Sequence, residues 1–277
     1  MRKLCTLLFV TMLFCLGCDW RLSNSDDNPD WLLSVSRYDR VQTLYLTTGD
    51  LSALQQMNTE YPQQTRTLIE DVLQLGRVNE PQINDHFLHF YQDTTLQVLM
   101  ADVQRQYADM SDVNSQLSDA FERLLRLVPD ICLPDVYTQI GSLDQSIIVS
   151  GDMLGISLDK YLGADYPLYL RYGYSAGQRQ TMQRSYIVPD CIAFYLLSLF
   201  PTPKNPFATP AVQNPTAETA EIPETTPEQR DSHLGRIQWV VNRVMKRRVF
   251  NSPHVQAVDR YMKAHPHTTI RQLLTEG

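Results

Sequence analysis

The sequence predicts an α+β protein, mainly helical with a small β-sheet. Three observations carry this expectation. Between about Arg40 and Val128 the apolar residues recur at helical spacing. From Val136 to Leu158 short β-branched runs alternate with Gly, Ser and Asp turn signals. A uniformly apolar stretch then follows from Cys191 to Phe200, as expected of a helix buried on most sides at the centre of the fold.

Trp31 to Ser36 is apolar and β-branched, which suits a short strand. Asp50 is placed to cap a helix running through Met57. Pro62 fits the first turn of another helix that reaches Leu75 and stops at Gly76. The clearest helix starts near Ser111 or Asp112 and aligns Val113, Leu117, Ala120, Phe121, Leu124, Leu125 and Val128 on one face before Pro129. That stripe is core. Val136–Ile140 and Ser146–Val149 read as two strands joined around Gly141-Ser142, and Leu154–Leu158 as a third after a turn at Gly151-Asp152. Residues 201–230 hold seven prolines among Thr, Ala, Glu and Asn, the composition of a loop or linker. Beyond it Leu234, Ile237, Val240, Val241, Val244 and Met245 form an apolar helical face. Lys246, Arg247 and Arg248 follow where cations suit a helix C-terminus, which we read as a helix end rather than a lipid-binding patch. Val255–Met262 and Ile270–Leu274 add two short helices.

The N-terminus has a different character. Arg2 and Lys3 precede an apolar run from Leu4 to Leu16, too short to span a bilayer as a helix, which needs roughly 20 residues. With Gly17 before Cys18, residues 1–17 read as a lipoprotein signal peptide cleaved before a lipid-modified Cys18. Cys15, where an aliphatic residue is more usual, is the departure from pattern, and ordinary secretion is the alternative. Acyl chains on Cys18, palmitate among them, then anchor the chain on a membrane, because each buried methylene adds about 0.8 kcal/mol. Residues 18–30 form an acidic tether, 31–200 the main α+β domain, 201–230 the Pro/Thr-rich loop or linker, and 231–277 C-terminal helices packed on the main domain.

The chain has 24 basic and 31 acidic residues, a formal charge of −7. Loss of Arg2 and Lys3 leaves 22 against 31, or −9, which argues against nucleic acid as a partner. Of the mature cysteines other than Cys18, Cys132 and Cys191 lie in apolar surroundings; a disulfide and two buried free thiols both fit.

Motifs that carry chemistry are missing. There is no HExxH and no CxxC, and no G-x-S-x-G or G-x-x-x-x-G-K loop. His86 and His89, three apart, have no acid between them and read as surface histidines; His265 and His267 flank a proline. Asp152, Asp159, Asp165 and Asp190 read as turn and cap residues. No catalytic or metal-binding residue and no cofactor is expected apart from the covalent lipid on Cys18.

One block is distinctive. Ile147-Ile148-Val149, the run Leu158-Asp159-Lys160-Tyr161-Leu162-Gly163-Ala164-Asp165-Tyr166-Pro167, Tyr169, and Ile187-Val188-Pro189-Asp190 leading into the apolar helix together resemble the gliding-motility lipoprotein GldB family of Bacteroidota. Arg260-Tyr261-Met262 with Leu273-Leu274 is a weaker echo. The D-x-Y-L-G-x-D-Y-P run describes one strand-to-helix turn, so Asp159, Tyr161, Leu162, Gly163, Asp165, Pro167, Pro189 and Asp190 are the expected structural or interaction motif. The resemblance implies a cell-envelope lipoprotein tied to motility or secretion, with another envelope protein as partner. It also implies distant similarity to predicted zinc peptidases, here as a zinc-peptidase-like scaffold lacking HExxH, since the corresponding helix reads CIAFYLLSLF. Ser25-Asp26-Asp27 resembles acidic signals for surface display, with a solvated linker as the alternative; which membrane the anchor occupies stays open. Two other functions stay open: a metal-dependent hydrolase with an unorthodox site at His86 and His89, and a surface glycan binder using Tyr161, Tyr166, Tyr169, Tyr172 and Tyr174.

Overall fold

The structure is a computed structural model that describes residues 33–202 and 226–275. The expected signal peptide and tether, Cys18 and most of the Pro/Thr-rich segment lie outside the described residues. Helices dominate, and a three-stranded mixed sheet sits among them.

Helix α1 (Tyr38–Thr48) ends at Gly49, whose φ of +70° lets its N–H reach the Tyr45 carbonyl. Helix α2 (Leu51–Thr59) starts as the sequence predicts: the Asp50 carboxylate accepts from the Ser52 and Ala53 N–H groups. Helix α3 (Pro62–Arg66) carries Pro62 at its first position but widens at Thr67–Val72 into a π-helical turn, so the regular helix stops short of the expected Leu75. Helices α4 (Ile83–Tyr91), α5 (Thr94–Gln106) and α6 (Ser111–Leu127) complete the helical half. On α6 the predicted face is buried, apart from a half-buried Leu125.

The sheet has β1 (Asp135–Gln139), β2 (Ile147–Ser150) and β3 (Met153–Ser157). Its order is β1-β3-β2: β2 and β3 form an antiparallel hairpin, and β1 pairs with β3 in parallel. The segment around Gly141-Ser142 therefore crosses past β3 instead of making a hairpin. Every residue of the central strand β3 is buried. Of the predicted strand at 31–36, the described residues 33–36 show one bridge, in which the Ser36 N–H donates to the Val136 carbonyl at 2.9 Å and the Thr138 N–H donates back to the Ser36 carbonyl at 2.9 Å. After the bridge, the Arg37 side chain turns to the buried Asp39 carboxylate, with two bonds of 2.8 and 2.9 Å at the start of α1.

Gly155 has a packing reason. It faces Tyr137 across β1 and β3, and a methyl group there would lie 2.6 Å from the Tyr137 ring and hydroxyl. That ring is buried and packs edge-on against Tyr38, with centroids 6.2 Å apart. Gly155→Ala is therefore expected to destabilise the protein by about 1–3 kcal/mol, the usual range for overpacking. Tyr137→Val should relieve the clash, so the double variant should lose less than the sum of the two single losses in urea titrations. Strict additivity would show that the ring is free to move aside.

Helices α7 (Pro167–Arg171), α8 (Ala176–Thr181) and α9 (Ile187–Leu199) follow. Helix α9 packs on α6, β2 and β3, which makes it the central element its composition predicts, although Phe194 and Leu199 stay exposed. Helix α10 (Pro227–Met245) begins inside the expected linker: Thr226 and Gln229 form a capping box around Pro227. It packs on α6 and α9. Leu234 points outward, and His233 and Trp239 take buried places that the apolar pattern had not marked. Helices α11 (Pro253–Ala264) and α12 (Ile270–Thr275) close the chain against α10. Cys132 is exposed and Cys191 buried, both as free thiols, so neither a disulfide nor a pair of buried thiols describes them.

Candidate functional site: a buried knot around Asp159 and Tyr161

The distinctive sequence block folds into a knot of hydrogen bonds between the end of β3 and the start of α9. After β3 the chain makes a single 3-10 turn, Leu158–Tyr161, which turns Asp159 inward. Gly163 has φ +115°, a backbone region that favours glycine, and its N–H donates to the Met182 carbonyl at 3.0 Å. Pro167 then occupies the first position of α7 with its ring preset for a helix. The block is thus the strand-to-helix turn its residues predict.

Asp159 is fully buried and is no solvent-facing cap. One carboxylate oxygen accepts from the Gly141 N–H at 2.9 Å and the other from the Leu143 N–H at 2.5 Å. Burial pushes this carboxyl above its ordinary range, against the two N–H groups that pull it down. The loop it holds is strained, because Ser142 and Leu143 both have left-handed backbones, φ +55° and +67°. Lys160 and Tyr174 reinforce the clamp by donating to the Leu143 carbonyl at 3.1 and 2.8 Å. Tyr169 adds a relay: its hydroxyl donates to the Asp159 carbonyl at 2.5 Å and accepts from the Leu162 N–H at 2.9 Å.

Tyr161 ties the knot to two helices. Its hydroxyl donates to Asp190 Oδ2 at 2.9 Å, and its carbonyl accepts the hydroxyl of Tyr107, which caps the C-terminus of α5, at 2.6 Å. Asp190 sits in the first turn of α9, where an acid suits the helix dipole. Burial outweighs that and the Tyr161 hydrogen bond, and lifts the carboxyl from 3.8 to about 7. The neighbouring Cys191 thiol is driven far up by burial and is therefore a poor nucleophile. Pro189, just before Asp190, is buried in the same turn.

The other expected residues divide. Leu162 is buried and bridges to Gln183, whereas Asp165 is fully exposed, 3.8 Å from Arg179. Of the tyrosines, Tyr161 and Tyr169 are sealed, Tyr166 and Tyr174 are partly buried and internally hydrogen-bonded, and only Tyr172 is largely exposed. The sugar-stacking surface the cluster suggested is therefore not assembled. His86 and His89 both face solvent on α4. Among the described residues no group of three His, Cys, Asp or Glu could hold a metal ion. Tyr107 and the Gly141–Leu143 loop were missed as members of the site, whereas Tyr169 and Lys160 lay within the distinctive block without a role having been read for them.

As chemistry, the knot is an arrangement of carboxylates whose lone pairs are engaged by backbone and tyrosine donors. It over-determines one loop conformation, and Asp190 is poised to titrate near neutrality.

No curated protein and no solved structure matches the chain. A family model described as gliding motility protein GldB matches residues 23–209, more than half of the chain, and includes the whole knot. No helix among the described residues is long and apolar enough to cross a membrane. The chain belongs to the gliding motility protein GldB family, a class of motility-associated envelope lipoproteins.

Proposed function

We propose that the chain is a non-enzymatic lipoprotein, anchored through Cys18, that binds or scaffolds another envelope protein of the motility or secretion machinery. One observation carries this reading. The distinctive block turns Asp159, Tyr161 and Tyr169 inward and engages them in fixing the fold, while the same segment presents Leu170 and Tyr172 outward, more than half exposed. An aliphatic and aromatic pair on a rigid turn is the kind of anchor protein interfaces use.

The anchor and the surface are tested separately. Cys18→Ala should move the protein from the membrane pellet to the soluble fraction; membrane retention would refute the lipid anchor. A photo-crosslinking residue at Tyr172 should give one reproducible adduct with an envelope protein, and Leu170→Ser should reduce that adduct at least tenfold without changing the melting temperature. Adducts that are random, or indifferent to Leu170, would defeat the interface.

A further inference from the structure

Among the described residues, a group of cations without ion pairs lies away from the knot. A cleft of about 760 Å³, within the size range of small-ligand sites, opens where the C-terminal ends of α6 and α10 meet α11. Arg243, Lys246, Arg247, Arg248 and Arg260 all line it, and none of them forms an ion pair among the described residues. Other charges nearby are already matched: Arg123 pairs with Asp119, Arg126 with Glu122, and Asp259, the one acid in the lining, with Lys263 at 2.7 Å. Helix dipoles account for Arg126 and Arg243 in the last turns of α6 and α10 and favour the cations just past the end of α10, but they do not account for Arg260 within α11 or for the convergence of all five on one cleft.

The walls are held in place. Asn242 accepts from the Val249 and Phe250 N–H groups at 2.7 and 2.9 Å and donates to the Phe250 carbonyl at 2.8 Å, which pins the turn carrying Lys246 to Arg248. Lys246 itself adopts φ +52°, where glycine or asparagine would be unstrained. Arg123 donates to the Val244 carbonyl at 2.5 Å and so fixes α6 to α10, and Arg247 donates to the Ser185 carbonyl at 3.1 Å. Trp239 is anchored by its own hydrogen bond to Asp259, at 3.2 Å.

We infer that this cleft is a binding site for a phosphate-bearing anion carrying two or more charges. In a chain of net charge −7, five cations without an ion pair are gathered on one concave surface, and although Arg248 feels Asp259 and Arg243 lies over the Trp239 ring at 5.5 Å, one acid against five cations leaves a field that favours an anion. Arginine forks match phosphate oxygens two at a time, and four of the five cations are arginines. Most of the lining falls after residue 209, beyond the family match, so the site is a property of this chain's C-terminal helices. It is independent of the protein-partner reading above.

The test uses the full-length protein in a neutral detergent, titrated with inorganic pyrophosphate and, in parallel, with mixed micelles of phosphatidylglycerol or phosphatidylcholine. Saturable pyrophosphate binding is expected, weaker as salt rises and at least tenfold weaker in Arg247→Gln/Arg248→Gln. Lys246→Gly removes a charge while relieving the backbone, so it should lose affinity without losing stability. Competition by phosphatidylglycerol micelles would identify a lipid headgroup as the source of the phosphate, and lack of competition a soluble phosphate compound. No pyrophosphate binding, or binding unchanged in both variants, overturns the site, as does capture of poly-glutamate in its place.

Discussion

Asp159→Asn is expected to destabilise the protein by about 2–4 kcal/mol, even though the substitution is nearly isosteric. The carboxylate offers an acceptor to each of two buried N–H groups, from Gly141 and Leu143. An asparagine amide has one oxygen, so its NH₂ must face the second N–H, donor against donor. The loop it abandons contains two left-handed residues that nothing in their own chemistry favours. Equilibrium urea denaturation measures the loss, and hydrogen exchange should speed up first at Gly141 and Leu143. A variant within 0.5 kcal/mol of wild type would show that Lys160 and Tyr174 suffice to hold the loop.

Asp190→Asn should do the opposite and stabilise the protein at pH 8. Burial raises the folded carboxyl to about 7 from an ordinary 3.8, so the folded state holds its proton more tightly than the unfolded chain. The contribution of Asp190 to stability is therefore fully present below about pH 4 and is lost as pH rises through about 7. A shift of about 3 units corresponds to about 4 kcal/mol, and allowing for the partial exposure of this residue leaves about 2–3 kcal/mol. The asparagine oxygen still accepts the Tyr161 hydroxyl, so the bond at 2.9 Å is retained. The difference between variant and wild type should vanish near pH 4. A variant less stable than wild type at pH 8 would mean that the charged form is the one the fold prefers. Burial raises both carboxyls, but asparagine can satisfy the single hydroxyl that Asp190 meets and cannot satisfy the two converging N–H donors that Asp159 meets.

Much of the fold was legible in the sequence because local patterns report local physics. The α6 stripe, the Asp50 cap and the turn from Gly163 to Pro167 each depend on residues a few positions apart. The family, too, was carried by a contiguous run, and the match over residues 23–209 bears that recognition out. Where the reading fell short, the deciding contacts were ones that the apolar pattern does not report. Of the expected strand at 31–36 the described residues keep one bridge, at Ser36, and α10 starts early because a capping box outweighs the surrounding prolines and polar residues. Cys132, judged by its apolar neighbours in sequence, turned out to be exposed.

By itself, then, the sequence determined the α+β class, the order of the elements and the family, since periodicity, caps and turn chemistry are written in adjacent residues. Only the tertiary structure decided what the acids and cations do. Asp159 meets N–H groups 16 and 18 positions away in the chain, Tyr161 is held from the C-terminal cap of α5 across 54 positions, and the unpaired cations of the cleft come from the end of α10, the turn after it and α11. Hydrogen bonds and charge repulsion act over ångströms in space, and spacing along a chain does not reveal which distant groups will share them.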